Sequence, residues 1–342
     1  MVFLTGAGGF VGGHVARELA RAGHPVRGLS RRPPIIEQGD PPIDWRLGDM
    51  RDPSARAGAV TDVRAVVHAA SWVSLGPDPS RESIETNVEA TRGLLADCVA
   101  AGVERLIYTS TLHTLAAGSA EDPADEDSAW NLGRVDSPYA RTKRAAERLV
   151  LDGCGGRLAC LALCPGMVLG PRDVRPTSTR LLLALARAPL AVVPGGGIPV
   201  VDAGVLARAH RKALASGDPG RRYAVVGPYV SYPDLARLVA RVAGWPWRVA
   251  TIPDAAERPI VQLSRWIGRW PYTAGSDLST ATIAGGFLRL HVRGDRADST
   301  FDLAHPPPIV SIHDALDDAR RSGRAPWLRL RWAPEPVPSP GP

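Results

Sequence analysis

Long apolar runs are missing from this sequence. The longest apolar stretch, residues 181–193, is interrupted by Arg187 and Pro189, whereas a membrane-spanning helix needs about 18 or more apolar residues in a row. The N-terminal residues MVFLTGAGG contain neither the basic nor the apolar segment of a signal or transit peptide. We therefore expect a cytoplasmic protein that makes no contact with a membrane.

Cysteine is scarce as well. The four cysteines, Cys98, Cys154, Cys160 and Cys164, show no CxxC spacing and have no paired histidines nearby. Those two patterns are typical of redox motifs and zinc sites. The sequence therefore predicts buried free thiols and no metal site.

Lysine is almost absent, since only Lys143 and Lys212 occur among the 41 basic residues. The net charge is nevertheless +6, and a basic chain of this kind can bind nucleic acid. The arginines, however, are spread along the whole chain, and scattered charge is typical of a solvated surface. We therefore predict a small-molecule substrate and no nucleic-acid partner.

The sequence does contain an alternation of short apolar runs with amphipathic stretches. The predicted strands are 1–4, 25–29, 65–69, 105–109, 157–164 and 198–201. The predicted helices are 12–22, 87–101, 139–151, 205–215 and 232–243. This alternation is typical of parallel strands joined by right-handed crossovers. We predict an α/β fold: a doubly wound parallel sheet of the Rossmann type with a smaller C-terminal α/β region that binds the substrate.

The predicted domain division follows composition and periodicity. Residues 1–165 form the cofactor-binding core, and 191–226 return to it. Residues 166–190 and 227–332 form the substrate-binding region, in which 166–180, rich in Gly, Pro and Arg, is predicted as a loop over a site, and 249–299 has weak periodicity. The Pro-rich tail 333–342 is predicted to be disordered.

A glycine-rich segment, TGAGGFVG, directly follows the first predicted strand and opens the first helix. It places glycines at Gly6, Gly9 and Gly12. Small residues at these points permit a tight turn, close approach of a pyrophosphate to backbone N–H groups, and close packing of helix on strand. The order strand, turn, helix favours a dinucleotide site over a merely structural turn.

The end of the second strand indicates which dinucleotide is bound. An acidic residue there would accept hydrogen bonds from the ribose hydroxyls of NAD, whereas basic residues can bind the 2′-phosphate of NADP. Here Ser30 stands at the acidic position and Arg31 and Arg32 follow it. The sequence therefore favours NADP over NAD.

The segment SPYARTK places Tyr139 and Lys143 four residues apart in a predicted helix, so both side chains lie on one face. A free tyrosine titrates near pH 10. A neighbouring ammonium stabilises the phenolate and brings the tyrosine toward the range useful for general acid–base catalysis. We predict that Tyr139 exchanges a proton with the substrate and that Lys143 tunes it and holds the nicotinamide ribose.

Hydroxyl groups follow the strand at residues 105–109, in the segment YTSTLHT. Ser110 or Thr111 could donate a hydrogen bond to a carbonyl oxygen as hydride arrives, although hydroxyl residues after a strand are also ordinary turn residues. His113 is a candidate substrate contact or a plain loop histidine.

In this order, these motifs resemble the extended short-chain dehydrogenase/reductase family over roughly residues 1–325. The resemblance implies that Thr111, rather than Ser110, joins Tyr139 and Lys143 in the catalytic set. Further supporting segments are GDMRD, HAA, NVEAT and CPGMVLGPRD. The cofactor contacts expected from the motifs and the resemblance are Gly6, Gly9, Phe10, Val11, Gly12, Ser30, Arg31, Arg32, Asp49, Met50, Ala69, Ala70, Asn87, Thr109, Tyr139, Lys143, Pro165 and Val168.

The chain departs from the family pattern at two positions. Cys164 replaces the usual arginine before Pro165, and Val205 stands where related segments carry a second aspartate. Both departures concern scaffold contacts and leave the catalytic set intact. The resemblance also implies a homodimer.

The leading hypothesis is an NADP(H)-dependent ketoreductase or alcohol dehydrogenase of the branch that contains dihydroflavonol reductases and 3β-hydroxysteroid dehydrogenases. Apolar segments at 72–75, 261–270 and 283–290 favour a fairly apolar, ring-containing substrate, although they could equally form core or a dimer interface. One alternative is a nucleotide-sugar epimerase or dehydratase, with Arg172, Arg175 and Arg180 on the diphosphate. Another is a non-catalytic, cofactor-sensing protein.

Overall fold

A computed structural model describes residues 1–73, 80–135, 137–244, 248–267 and 280–334 of the chain. Parallel strands form a seven-stranded central sheet in the spatial order β3-β2-β1-β4-β5-β6-β10. They are β1 (Val2–Thr5), β2 (Val26–Ser30), β3 (Asp44–Leu47), β4 (Ala65–His68), β5 (Arg105–Thr109), β6 (Ala159–Pro165) and β10 (Arg222–Val225). The chain winds outward in both directions from the boundary between β1 and β4. The doubly wound α/β fold predicted from the sequence is confirmed.

Helices cover both faces of this sheet. Together with those of the second region, the helices of the described residues are α1 (Phe10–Arg21), α2 (Pro53–Val60), α3 (Ser80–Ile84), α4 (Ala90–Ala100), α5 (Pro138–Asp152), α6 (Ser178–Arg187), α7 (Ala203–Lys212), α8 (Tyr232–Ala243), α9 (Glu257–Ile267), α10 (Thr280–Phe287), α11 (Asp295–Phe301) and α12 (Pro308–Arg321). Helices α1 and α7 pack together on one face, and α2, α4 and α5 pack together on the other.

Alternating side chains along each strand pack into the apolar cores on the two faces of the central sheet. In β1, Val2 and Leu4 pack with α1 and α7, whereas Phe3 packs with α2, α4 and α5. In β5, Ile107 and Leu106 divide in the same way. Because successive side chains of a strand point to opposite faces, a sheet covered on both sides needs apolar residues at every position. This explains the short continuous apolar runs in the sequence.

A second region is built on smaller sheets. The strands β7 (Met167–Leu169), β9 (Gly197–Asp202) and β11 (Tyr229–Ser231) form one sheet, and β8 (Leu190–Pro194) pairs with β12 (Arg248–Ile252). Helices α6, α8 and α12 pack around a separate apolar core there. The prediction of an unbroken loop over 166–180 is wrong, since β7 and the start of α6 lie within it. A three-residue strand between two glycines has too little pattern to be recognised without its partner β9.

Within the segment 191–226, expected to return to the core, β10 joins the central sheet and α7 packs on α1, whereas β8 and β9 belong to the smaller sheets. The domain boundaries therefore stay a prediction. Most of the Pro-rich tail, residues 335–342, lies outside the described residues.

All four cysteine thiols are free, and Cys98, Cys160 and Cys164 are buried. In the described part of the chain, no group of three His, Cys, Asp or Glu side chains is placed to hold a metal ion. No helix among the described residues is both long and apolar enough to span a bilayer.

Candidate active site and cofactor groove

The glycine-rich turn lies between β1 and α1. Gly6 has a φ of +71°, in the left-handed region that favours glycine, and a Cβ on it would lie 2.7 Å from the backbone of Ala70. A Cβ on Gly12 would lie 2.2 Å from the Gly6 carbonyl oxygen. The glycines thus let the turn fold tightly against β4 and let α1 begin directly behind it, which leaves backbone N–H groups at a helix N-terminus free to face an anion.

This packing gives a testable prediction. Gly12→Ala is expected to destabilise the fold by about 1–3 kcal/mol, because the methyl group collides with backbone that cannot turn away, and to weaken nucleotide binding. Gly58→Ala is the matched control: Gly58 lies in α2 with open space around its Cα, so alanine should stabilise the helix by about 0.5–1 kcal/mol. Urea unfolding of both variants measures the difference, and equal midpoints would contradict the prediction.

A groove crosses the carboxyl ends of the central strands at the boundary between β1 and β4, where ligands of doubly wound sheets bind. It is lined by Gly6, Gly8, Gly9, Leu29, Ser30, Arg31, Arg32, Gly48, Asp49, Met50, Ala69, Ala70, Ser71, Thr86 and Arg175. Nine of these were expected from the sequence as cofactor contacts, and Gly8, Leu29, Gly48, Ser71 and Thr86 were not. Arg175 was predicted only as a ligand of the nucleotide-sugar diphosphate in the alternative function. Residues from the predicted dinucleotide-binding motifs therefore line this groove.

The end of β2 carries a serine and two arginines into this groove. Ser30 is buried, and its hydroxyl donates to the Arg32 carbonyl oxygen at 2.6 Å. Within the described residues, the side chains of Arg31 and Arg32 donate no hydrogen bond and form no salt bridge. Burial raises the pKa of Asp49, but hydrogen bonds from Arg51 and the charge of Arg31 outweigh it and lower that pKa overall. This edge of the groove thus presents uncompensated positive charge.

The catalytic candidates converge where β5 ends and α5 begins. Ser137 caps α5 by accepting a hydrogen bond from Ala140 N at 3.1 Å, and Pro138 occupies the first turn. This start fixes Tyr139 in the first turn, where its phenol hydrogen-bonds with Thr111. Burial raises the pKa of Tyr139, and the hydrogen bond with Thr111 opposes that rise.

Lys143 lies one turn further along α5 and is almost completely buried, with 2% exposure. Its ammonium donates to the Thr109 carbonyl oxygen at 2.6 Å and lies 4.2 Å from the centre of the Tyr108 ring. Burial lowers the pKa of Lys143 to about 7, although the negative charge of Glu147 pulls it upward. The protonation state of Lys143 near neutral pH therefore depends on the charge of Glu147.

The two hydroxyl candidates after β5 have different partners. Thr111 is bonded to Tyr139 and lies 3.3 Å from His113 Nδ1, whereas Ser110 donates to the Glu147 carboxylate. His113 is half-buried, and its partial removal from water lowers its pKa. Thr111 is thus the hydroxyl next to the phenol.

Glu147 is a buried residue that the sequence analysis did not single out. Its carboxylate accepts hydrogen bonds from Ser110, from Thr114 at 2.7 Å and from the Cys164 thiol at 3.4 Å, and it lies 3.5 Å from Arg222. We call these five residues the Glu147 cluster. The sequence did contain one indication of Glu147: it lies four residues after Lys143 in α5, so the two side chains share one face of the helix. The guanidinium that reaches this cluster comes from β10, next to β6, on which Cys164 replaces the expected arginine.

Asn87 is buried in a short π-helical turn, Glu85–Glu89, before α4. Its side chain accepts from Trp72 N at 2.7 Å and donates to the Trp72 carbonyl oxygen and to the Thr142 hydroxyl, both at 3.0 Å. It therefore ties the segment after β4 to α5, one residue from Lys143. Its side chain does not line the groove, so a direct contact with a cofactor stays a prediction.

Other predicted contacts also lie away from the groove walls. Phe10 and Val11 pack against the core beneath α1, while Pro165 and Val168 are buried at the end of β6 and in β7. Val205 stands where related sequences carry a second aspartate, but helix α7 still has a capped N-terminus. The Asp202 side chain caps it by accepting hydrogen bonds from Gly204 N and Val205 N.

The predicted apolar pocket segments are described only in part. Residues 74–75 and 268–270 lie outside the described residues, while Phe287 and Leu290, from the third segment, are buried. Leu290 belongs to an apolar core beside the segment after β5.

Known proteins resemble the chain over most of its length. The NAD dependent epimerase/dehydratase family matches residues 2–225. A putative dihydroflavonol 4-reductase of Synechocystis is 27% identical over 73% of this chain and 75% of its own length. A 2-alkyl-3-oxoalkanoate reductase of Stenotrophomonas maltophilia is 35% identical over 50% of this chain and 52% of its own.

Solved structures agree on the fold. The crystal structure of gox2253 has a TM-score of 0.82 and 29% identity, covering 95% of this chain and 99% of that one. A nucleoside-diphosphate-sugar epimerase of Pseudomonas aeruginosa has a TM-score of 0.75 over 94% of this chain and 98% of its own, at 24% identity, which supports the shared fold alone. Since the family match spans more than half of the chain and agrees with the sheet order and the glycine turn, the chain belongs to the NAD-dependent epimerase/dehydratase family of the extended short-chain dehydrogenase/reductases and is an oxidoreductase that acts on CH–OH or C=O groups.

Proposed function

We propose that the protein is an NADP(H)-dependent ketoreductase or alcohol dehydrogenase that acts on a fairly apolar, ring-containing carbonyl compound. The observation that carries this proposal is that Thr111, Tyr139 and Lys143 meet where β5 ends and α5 begins. The carboxyl ends of other strands of the same sheet carry a groove lined by glycines and arginines. Gly6 and Gly12 permit the close packing of the turn, the segment after β4 and α1 that a Cβ would prevent, and Arg31 and Arg32 are available for a 2′-phosphate. The residues present therefore suit NADP.

The bound nicotinamide would supply or accept the hydride. Tyr139 gives its phenolic proton to the carbonyl oxygen in the reducing direction and takes it back in the oxidising direction. Thr111 donates a hydrogen bond to the same oxygen and so favours the charge that develops on it. Lys143, as an ammonium, favours the phenolate of Tyr139 and would hold the nicotinamide ribose.

Relatives suggest the class of substrate. Their names include a dihydroflavonol reductase, an oxoalkanoate reductase and 3β-hydroxysteroid dehydrogenases, which act on oxygen groups carried by largely apolar skeletons. Two of the three arginines proposed for a nucleotide-sugar diphosphate have other partners: Arg172 pairs with Asp40 and Glu37, and Arg180 donates to the Pro176 carbonyl oxygen. This favours the ketoreductase over the epimerase or dehydratase. A homodimer and a cytoplasmic location complete the proposal.

The test is net oxidation of NADPH, with NADH in parallel, against a panel of apolar ketones and of nucleotide sugars. Ketone-dependent consumption that is faster with NADPH is the expected result. A nucleotide sugar that changes configuration or loses water without net consumption would overturn the ketoreductase in favour of the epimerase or dehydratase. Nucleotide binding without turnover of any compound would favour the cofactor-sensing alternative.

A further inference from the structure

A third arginine reaches the groove from a distant part of the chain. Arg175 lies in the loop 170–177 between β7 and α6, yet it lines the same groove as Arg31 and Arg32. It is exposed, and it donates no hydrogen bond and forms no salt bridge to any residue that the structure describes. Three arginines thus line one groove, and the one carboxylate among its described lining residues, that of Asp49, is already paired with Arg51.

The neighbouring Arg172 differs from Arg175, because its guanidinium forms ion pairs with two carboxylates. Its guanidinium donates to both carboxylate oxygens of Asp40, at 2.9 and 3.0 Å, and pairs with Glu37. Arg17 adds a further bond to Asp40 at 3.0 Å. Burial raises the pKa of Asp40, but these partners outweigh it and hold the pKa at about 2, so the ion pairs persist across the neutral range.

These bonds tie two segments together. Asp40 and Glu37 belong to the segment 31–43 after β2, which also carries Arg31 and Arg32. On its other side, the loop 170–177 is held by α12 and the segment after it. Asp318 of α12 accepts a hydrogen bond from Arg172 N at 2.7 Å, and Arg324, beyond the end of α12, donates to the Asp173 carbonyl oxygen at 2.6 Å. The position of Arg175 relative to the other two arginines is therefore set by buried and half-buried contacts.

We propose that Arg175 binds a phosphate group of the dinucleotide from the side opposite the glycine turn, so that the loop 170–177 closes one wall of the cofactor site. This proposal rests on the proposed function in that the groove holds a nicotinamide dinucleotide. The ligand chemistry is a phosphoryl oxygen that meets a free guanidinium. Two phosphates qualify: the 2′-phosphate, which Arg31 and Arg32 also face, and the diphosphate beside the glycine turn.

The experiment measures binding directly, by fluorescence or calorimetric titration of the full-length protein with NADPH and NADH. Arg175→Ala is expected to weaken NADPH binding about 10-fold or more, the effect of losing one charge-assisted hydrogen bond at an exposed site. The loss should shrink at high salt, and Arg175→Lys should restore part of the affinity. Arg241→Ala, which removes an exposed charge from α8, is the control for net charge and should bind as the wild type does.

The two cofactors distinguish the two phosphates. A loss confined to NADPH assigns Arg175 to the 2′-phosphate, and an equal loss with NADH assigns it to the diphosphate; both results support the proposal. Unchanged affinity for both cofactors in Arg175→Ala would overturn it while leaving the proposed function intact. A wild-type protein that binds neither cofactor would instead overturn the proposed function.

Discussion

Tyr139→Phe is expected to lower kcat by about 10²–10⁴-fold, the usual contribution of a positioned general acid or base. The variant keeps the ring that packs at the start of α5 and loses only the hydroxyl bonded to Thr111. Cofactor affinity should therefore stay unchanged, and the stability loss should stay near the worth of one hydrogen bond, about 1 kcal/mol. Initial rates at saturating NADPH and ketone measure the effect.

The control is the same substitution at another tyrosine. Tyr223→Phe removes a hydroxyl that accepts a hydrogen bond from Asp218 N at 2.7 Å in the core beside α11. Tyr223 has no role in the proposed reaction. It should cost a similar amount of stability and leave kcat unaltered. A Tyr139→Phe enzyme with a rate close to that of the wild type would show that the proton comes from another group, for which His113, 3.3 Å from Thr111, is a candidate.

Local spacing explains which parts of this site can be predicted from sequence. The glycine turn spans seven residues, and Tyr139 and Lys143 lie one helical turn apart, so the chain itself fixes their geometry. Arg31 and Arg32 follow from the same reasoning, because the ends of adjacent parallel strands meet at one edge. In each case a few consecutive residues determine the placement.

Contacts between distant segments account for what was missed. Arg175 lines the cofactor groove in a loop that the neighbouring Arg172 joins, through ion pairs with Asp40 and Glu37, to residues more than 130 positions earlier in the chain. Likewise, Arg222 meets Glu147 only because β10 pairs with β6. The strand β3 was also missed. Its sequence, DWRL, is half-exposed at the edge of the sheet and contains no apolar run, so its pairing with β2 supplies what the sequence pattern lacks.

Glu147→Gln has the second large expected effect, first on stability. The amide offers one acceptor where the carboxylate offered two, and it leaves Arg222 without a charge partner among the residues of the cluster. Removing one partner of a fully buried pair costs about 3–5 kcal/mol. Because the Arg222 side chain is 27% exposed and also donates to the carbonyl oxygens of Thr114 and Glu126, the expected loss here is about 2–3 kcal/mol. Urea unfolding should show this loss, whereas Glu104→Gln, which affects an exposed pair with Arg64, should change stability by no more than about 1 kcal/mol.

The same substitution is expected to change the pH profile of the reaction through Lys143. Burial lowers the pKa of Lys143 to about 7, and the charge of Glu147 opposes that fall. Without this charge, the pKa falls further, so the ammonium is lost at a lower pH. Under the proposed role of the ammonium, which is to favour the Tyr139 phenolate, the activity of Glu147→Gln should decline at a lower pH than that of the wild type, and the loss at pH 8 should exceed the loss at pH 6.

A purely structural role for Glu147 predicts something different. A variant that is merely less stable loses active molecules in equal proportion at each pH where it stays folded, so its profile keeps the shape of the wild-type profile. Measuring kcat from pH 5.5 to 9 at a temperature well below the unfolding transition of the variant separates the two cases. A profile of unchanged shape would remove Glu147 from the proton chemistry, while a decline moved to lower pH would make it the residue that keeps Lys143 charged.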